Sequence, residues 1–510
     1  MSRTNKTAIN TATGLICTVI SSVLSFVLQA VFIRLLGLEY SGINSLFTDI
    51  LKILNIAELG IENAVLFHLY HAISNKDQDE IELYQTSYRK ICYLIGAVVG
   101  AVGLLFIPFL GNFVKEPPNF PEPLWSLYVI VLATGVSTHF IGYRSILFIA
   151  KQDRFISTII QYACIFLKHG LQILVLVVFR NIYLYLLVDL GTTLLRGLIA
   201  GIVSWKKYHL SWHKKKNLTK DQRKDLTKDI GALAVFKFCR TLNVTIDTFL
   251  ISKFISVATT AIYGSVTVIT SALHGLLDTL NDGMIASVGD LFASGNRKRV
   301  KEVLLTSTHM VYLLYGVCTV VLVAFLGTFT TWWIGHTLPN SCIYVLLFNF
   351  YTSGHSSNVS TFRNAMGLYR KGWKRPAATA LINLVVSWFL IQKIGLIGAL
   401  LGTSIANIST IIWYDPLVVF KHGLQEKVWS FLGRYLIYLF FVTTASVGTS
   451  FVSRLLPMSD GFISLVWHGA VYLACAAVLL LGMGAVFPEQ KELFHMALQI
   501  IKRAKKKPEE

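Results

Sequence analysis

Apolar stretches of bilayer-crossing length recur along the chain, separated by short polar stretches rich in Lys and Arg. A helix needs about 20 mostly apolar residues to cross a ~30 Å hydrocarbon core. In lipid, backbone amides must be satisfied within the segment, so the spans are helices. The pattern predicts an all-α polytopic membrane protein with about 14 transmembrane helices. They are expected over 11–33, 41–72, 91–113, 124–150, 155–179, 182–204, 230–255, 259–292, 303–327, 341–367, 376–392, 396–415, 431–453 and 462–486. The second and eighth are over-long and the most polar, so tilt or a kink is expected near Gly60 and Gly283. No stretch is left for a soluble catalytic domain.

Charge orients the spans. With the N-terminus in the cytoplasm, about 32 of the 46 Lys and Arg fall on the inner side and about five on the outer side. Both termini are therefore expected in the cytoplasm. The apolar content is 54% and the charged content 14%, where soluble domains carry about 25% charge. The net charge of +19 sits in short loops beside apolar spans. It fits the positive-inside pattern and attraction to anionic lipid, and no nucleic-acid partner is expected. The first apolar stretch is longer than a signal peptide's core and no small-residue cleavage site follows, so it reads as a retained helix. The seven cysteines fall in or at the ends of spans, form no CxxC pair, and read as packing residues.

The longest inner loop, Trp205 to Asp229, holds nine Lys and Arg and divides the chain. The expected organisation is two six-helix bundles, 1–204 and 230–415, joined by a basic cytoplasmic linker, 205–229. Residues 416–510 then supply helices 13 and 14 and a basic tail. A repeat supports the split: Tyr40-Ser41-Gly42 with Gly60 matches Tyr263-Gly264-Ser265 with Gly283 at one fixed offset.

Charges inside the spans point to function. A central charge in lipid costs about 2.5–3.5 kcal/mol on insertion scales, so it must pair, snorkel or face water. Arg434 and Lys253 lie near span ends and read as snorkelling; Arg144 could reach the headgroups too. Asp189 and Arg196, seven apart on one face, read as packing glue. In the seventh span Lys237, Arg240, Asn243 and Asp247 follow at intervals of three, three and four, as one stripe facing an aqueous cavity or a buried network. The second span carries a similar stripe of Asp49, Lys52, Asn55 or Ile56, Glu58 or Leu59, and Glu62; the eighth carries His274, Asp278, Asn281 and Asp282; the first offers Ser21, Ser22, Ser25 and Gln29, with Arg34 at its outer end. Lys168-His169 and Arg363 add positive charge from the flanks, and no role is assigned to His139 or His274. Unmatched Arg and Lys in a membrane cleft attract an anion, and Arg forks suit phosphate oxygens.

The run Tyr40-Ser41-Gly42-Ile43-Asn44-Ser45-Leu46, with Leu54-Asn55-Ile56-Ala57-Glu58-Leu59-Gly60-Ile61, resembles Wzx-type polysaccharide flippases. So do Asp247-Thr248-Phe249-Leu250-Ile251-Ser252, Tyr263, and Ala286-Ser287-Val288-Gly289-Asp290-Leu291 with Phe292-Ala293. These flippases belong to the superfamily of multidrug/oligosaccharidyl-lipid/polysaccharide exporters. The resemblance implies translocation of an undecaprenyl-diphosphate-linked oligosaccharide from the inner to the outer leaflet of a bacterial cytoplasmic membrane, by alternating access of a central cationic cavity. It implies Lys52, Lys237 and Arg240 as head-group ligands, with Arg34 at the outer mouth, Asn243 beside them, and Arg144, Lys168 and Arg363 as further candidates. It implies Asp247, with Asp278 and Asp282, as charge-balancing or ion-coupling groups. No cofactor is expected beyond a proton or sodium gradient; membrane lipids and a polysaccharide polymerase are the expected partners.

Two rivals stand beside this reading. A multidrug or organic-cation antiporter of the same superfamily would need a carboxylate-lined pocket, for which Asp278 and Asp282 are the candidates. A membrane enzyme would need a sizeable loop domain. The longest outer loop, Val114 to Pro123, has about ten residues and no paired carboxylates for acid–base work.

Overall fold

The computed structural model describes residues 3–151, 153–208, 238–368, 371, 374–456 and 461–495. These residues are helical almost throughout: α1 Arg3–Leu36, α2 Leu38–Leu54, α3 Ile56–Ser74, α4 Gln78–Leu105, α5 Leu124–Gly142, α6 Ile146–Ala150, α7 Arg154–Phe179 and α8 Ile182–Tyr208. Then follow α9 (238–254), α10 Val257–Ala293, α11 Arg297–Ile334, α12 Asn340–Ala365, α13 Arg375–Ile394, α14 Leu396–Ser409, α15 Ile411–Val418, α16 Trp429–Leu455, α17 Phe462–Gly484 and α18 (489–495). Among the described residues eleven helices are long and apolar enough to cross a membrane.

The second, seventh and tenth expected spans are not among these eleven. The second is broken into α2 and α3 at Asn55, not at Gly60. Asn55 leaves the helix with φ −81° and ψ 2°, and its side-chain oxygen meets His139 Nε2 at 2.9 Å. The eighth runs through Gly283 without a break, as α10. Only 238–254 of the seventh is described. The tenth, α12, buries Thr352, His355, Asn358, Thr361 and Arg363, so its apolar content is low although it spans 26 residues. Polar residues turned into a bundle spare it the cost of facing lipid.

Local chemistry sets the ends of the helices. Asp77 and Asn296 cap α4 and α11 by accepting from the N–H of Glu80 (3.0 Å) and Arg299 (3.1 Å). Gly37, with φ +102°, makes the turn from α1 to α2, where a side chain would be strained. Pro416 interrupts the ladder inside α15, and a wide π turn at Val419–Leu424 follows.

The chain forms two compact units, Met1–Ser265 and Val266–Glu510, dividing within α10. In the first, one core joins α1, α2, α5 and α8 through Phe32, Phe47, Tyr128 and Leu186; another joins α3, α4, α6 and α8. The repeated motifs meet in this unit. A Cβ on Gly42 would lie 2.0 Å from the Val257 carbonyl oxygen, and one on Gly264 would lie 3.3 Å from Ser45 Oγ. Glycine in both motifs lets α2 and α10 touch. Gln29 of α1 ties them further, donating to Ser41 and Ser265. In the second unit, Tyr312, Tyr315, Tyr351 and Tyr438 pack α11, α12 and α16 together. Leu94, Leu105, Val178, Phe440, Ile463 and Val478 are exposed on helix flanks, the faces that lipid covers. All seven cysteines are free thiols, four of them buried.

Candidate functional site: a cation-lined cavity in the first unit

The first unit encloses a cavity of about 850 Å³. α2 lines it with Asn44, Thr48, Lys52 and Asn55, whose spacing of four, four and three keeps one helical face inward. α7 contributes Lys168, His169 and Gln172, α8 contributes Tyr185 and Asp189, and α9 contributes Arg240 and Thr241. Three of the cations expected at the site, Lys52, Lys168 and Arg240, thus line one space.

Their surroundings differ. Lys52 Nζ donates to Asp49 Oδ1 at 2.7 Å, three residues back, and keeps more than half of its side chain exposed. Lys168 pairs with Asp189 across α7 and α8 at 3.2 Å. Arg240 is exposed to the cavity and has no ion-pair partner among the described residues. Two of the three cations are therefore matched locally and the third is not. Chemically, an unmatched guanidinium in such a lining suits an anion, and the hydroxyls and amides beside it suit polar groups.

Other expected site residues lie elsewhere. Asn243 and Asp247 are outside the lining, because α9 turns Arg240, Thr241, Val244 and Thr245 to the cavity. Asn243 falls about 60° short of a turn from Arg240, on the side away from the other lining residues, whereas Asp247 lies within about 20° of the Arg240 direction but two turns further along the helix. Asp247 is 4% exposed and accepts from the Tyr263 hydroxyl at 3.2 Å. Arg144 is drawn to the protein: its Nε donates to the Tyr143 hydroxyl at 3.3 Å and it lies against Gly201. Arg34, in the last turn of α1, is exposed and outside the lining.

Two more belong to the second unit. Arg363 is 2% exposed and locked to Asp415 at 2.7 Å; Asp415 also accepts from Arg375 and from Ser360 Oγ (2.8 Å). It is a buried network joining α12, α13 and α15, not a cavity ligand. Asp278 accepts from Ser357 and Tyr315. Lys237, the side chain of Asp282 and the linker beyond residue 208 lie outside the described residues.

Sequence reasoning passed over Asp189 and Gln172 as lining residues and paired Asp189 with Arg196. The signal was the short turn between α7 and α8. Lys168 and Asp189 stand 12 and 8 residues from Arg180 and Asn181. That places them within about 6 Å in depth, a gap a Lys side chain can close.

The sequence matches the polysaccharide biosynthesis protein family over residues 8–282, just over half of the chain. The chain belongs to that family. The fold is similar to that of the lipid II flippase MurJ in an inward closed conformation, with a TM-score of 0.71 and 14% identity, over 94% of this chain and 99% of that one. It is similar to an inward-facing multidrug resistance MATE family transporter of the MOP superfamily, with a TM-score of 0.62 and 12% identity, over 81% and 96% of the two chains. A mutant of the Vibrio cholerae MATE transporter VcmN gives 0.58 and 15% identity, over 84% and 99%. At these identities the likeness is one of fold. No curated protein matches the sequence. The chain is thus a multi-pass membrane protein with the MOP fold.

Proposed function

We propose that this protein moves a polyprenyl-diphosphate-linked oligosaccharide, with undecaprenyl as the expected lipid, from the cytoplasmic to the outer leaflet of a bacterial cytoplasmic membrane. The observation that carries the reading is the convergence of Lys52, Lys168 and Arg240 on one cavity in a member of a polysaccharide biosynthesis family. The fold likeness to a lipid II flippase supports it. A phosphate oxygen about 4 Å from an unpaired guanidinium gains on the order of 4 kcal/mol at an effective dielectric of 20. The volume of about 850 Å³ falls within the 300–1,000 Å³ range of ligand pockets. It suits a diphosphate and the first sugars, leaving the lipid tail in the bilayer.

The cycle proposed is alternating access of two bundles joined by the basic linker 205–229, with both termini cytoplasmic. The protein acts as a transporter without chemical conversion of its cargo, alongside a polysaccharide polymerase that uses the product. The test is reconstitution in vesicles with a fluorescent polyprenyl-diphosphate sugar. Translocation by the native protein that falls in Arg240→Gln and Lys52→Gln, at equal protein level, is expected. Normal translocation in both variants removes the head-group assignment. Gradient-driven export of a cationic dye in its place favours an antiporter.

A further inference from the structure

α10, α11 and α12 of the second unit bring together a set of side chains that the cavity does not use. His274 Nδ1 stands 2.5 Å from the Tyr315 hydroxyl. That hydroxyl also reaches Asp278 Oδ1 at 3.2 Å. Ser357 Oγ and Asn281 Nδ2 donate to the same carboxylate oxygen at 2.9 and 3.3 Å. The other ring nitrogen, His274 Nε2, is 3.6 Å from Asp278 Oδ2. The Tyr315 ring is buried and held against Gly354, where a Cβ would lie 2.6 Å from it. The imidazole meets Tyr315 and Phe350 edge-on. Roughly a quarter to a third of Asp278 and His274 stays accessible, at 27% and 31%.

Tyr315 has one hydroxyl hydrogen and two acceptors within reach, His274 Nδ1 and Asp278 Oδ1. With the Nε2–H tautomer it can serve only one of them; with the Nδ1–H tautomer it serves Asp278, but the bare Nε2 lone pair then faces the carboxylate. Only the imidazolium meets every contact: Nδ1–H donates to the Tyr315 oxygen, the Tyr315 hydrogen turns to Asp278, and Nε2–H faces the carboxylate. We propose that His274, Tyr315 and Asp278 form a proton-binding site, and that proton movement through it couples to transport. A sodium ion is disfavoured, because a ring nitrogen that takes a proton is a poor neighbour for a hard cation seeking oxygen ligands. Among the described side chains, the titratable groups at the site include His274 and Asp278 on α10 and Tyr315 and Cys318 on α11, while α12 presents Ser357. Proton binding changes the hydrogen bonds that join α10 to α11, which is how a proton can bias one arrangement of the bundle over another.

The coupling rests on the flippase reading; the proton site does not. The full-length protein in lipid nanodiscs is titrated by infrared difference spectroscopy, following imidazole and carboxylate bands. The native protein is expected to show a protonation step that His274→Gln loses and that Tyr315→Phe and Asp278→Asn shift. In vesicles carrying a fluorescent polyprenyl-diphosphate sugar, a pH gradient is expected to accelerate translocation by the native protein. That acceleration should be lost in His274→Gln and Tyr315→Phe, and a sodium gradient at equal pH should not replace it. Identical spectra for the native protein and His274→Gln overturn the site. Acceleration by sodium alone overturns the coupling. A protonation step present with no translocation under any gradient upholds the site and removes the flippase reading.

Discussion

Asp415→Asn should destabilise the second unit severely. Asp415 is fully buried and its two oxygens accept from Arg363, Arg375 and Ser360, three donors from two other helices. Both guanidiniums are themselves largely buried, at 2% and 11% exposure. Asparagine keeps the shape but offers one acceptor, and its amide hydrogens point at an arginine N–H. Two buried cations then lose the carboxylate they share. Breaking a buried ion pair by removing one partner costs about 3–5 kcal/mol. At about 1.4 kcal/mol per tenfold, that is roughly a hundred- to few-thousand-fold shift in the folding equilibrium. The assay is the melting temperature of detergent-solubilised protein, followed by the fraction that stays monodisperse on heating, with denaturant unfolding in mixed micelles for the free energy. Arg363→Met should cost less, since Asp415 keeps Arg375 and Ser360. An ordinary interhelical hydrogen bond in a membrane averages only ~0.6 kcal/mol. A loss of that size in Asp415→Asn, or a larger loss in Arg363→Met, refutes the assignment of this network as a charge-balanced lock.

Further outcomes follow from the cavity and the packing. Arg240→Gln should weaken diphosphate-sugar binding at least tenfold, a fraction of the ~4 kcal/mol Coulomb term, read by titration of the purified protein. Lys168→Met should impair transport more than the double change Lys168→Met/Asp189→Asn, because the single change leaves a bare carboxylate facing an anionic head; vesicle translocation rates check the order. Gly402→Ala places a Cβ 2.0 Å from Ser387 Oγ and 2.6 Å from its backbone nitrogen, so α13 and α14 must separate. It should cost about 1–3 kcal/mol by overpacking, while Gly433→Ala, with open space around it, should melt like the native protein.

The bilayer's demand for long apolar helices made most of the fold legible. Hydrocarbon thickness dictates segment length, so counting apolar residues located helices such as α7 and α17 to within a few residues. α12 also stands where a span was expected, at 340–365 against 341–367, although it is less apolar than the others. A helix that buries Arg363 and His355 against neighbours need not be apolar, and its interior face is a property of the bundle. The kinks were misplaced for a related reason. Glycine marks where a chain can bend, but the break falls at Asn55, whose side chain meets His139 on another helix.

The site divides along the same line. Chain chemistry by itself determined that several cations must sit inside spans, since lipid repels them and the sequence shows them there. It could not say which ones share a space. Lys52, Lys168 and Arg240 belong to three helices, and Arg363 differs from them in nothing that its own neighbours in sequence reveal. Only the tertiary structure turned the first three toward a common cavity and closed Asp415 and Arg375 around the fourth. Where a side chain points depends on helix rotation and packing, and rotation is decided by contacts between segments far apart along the chain.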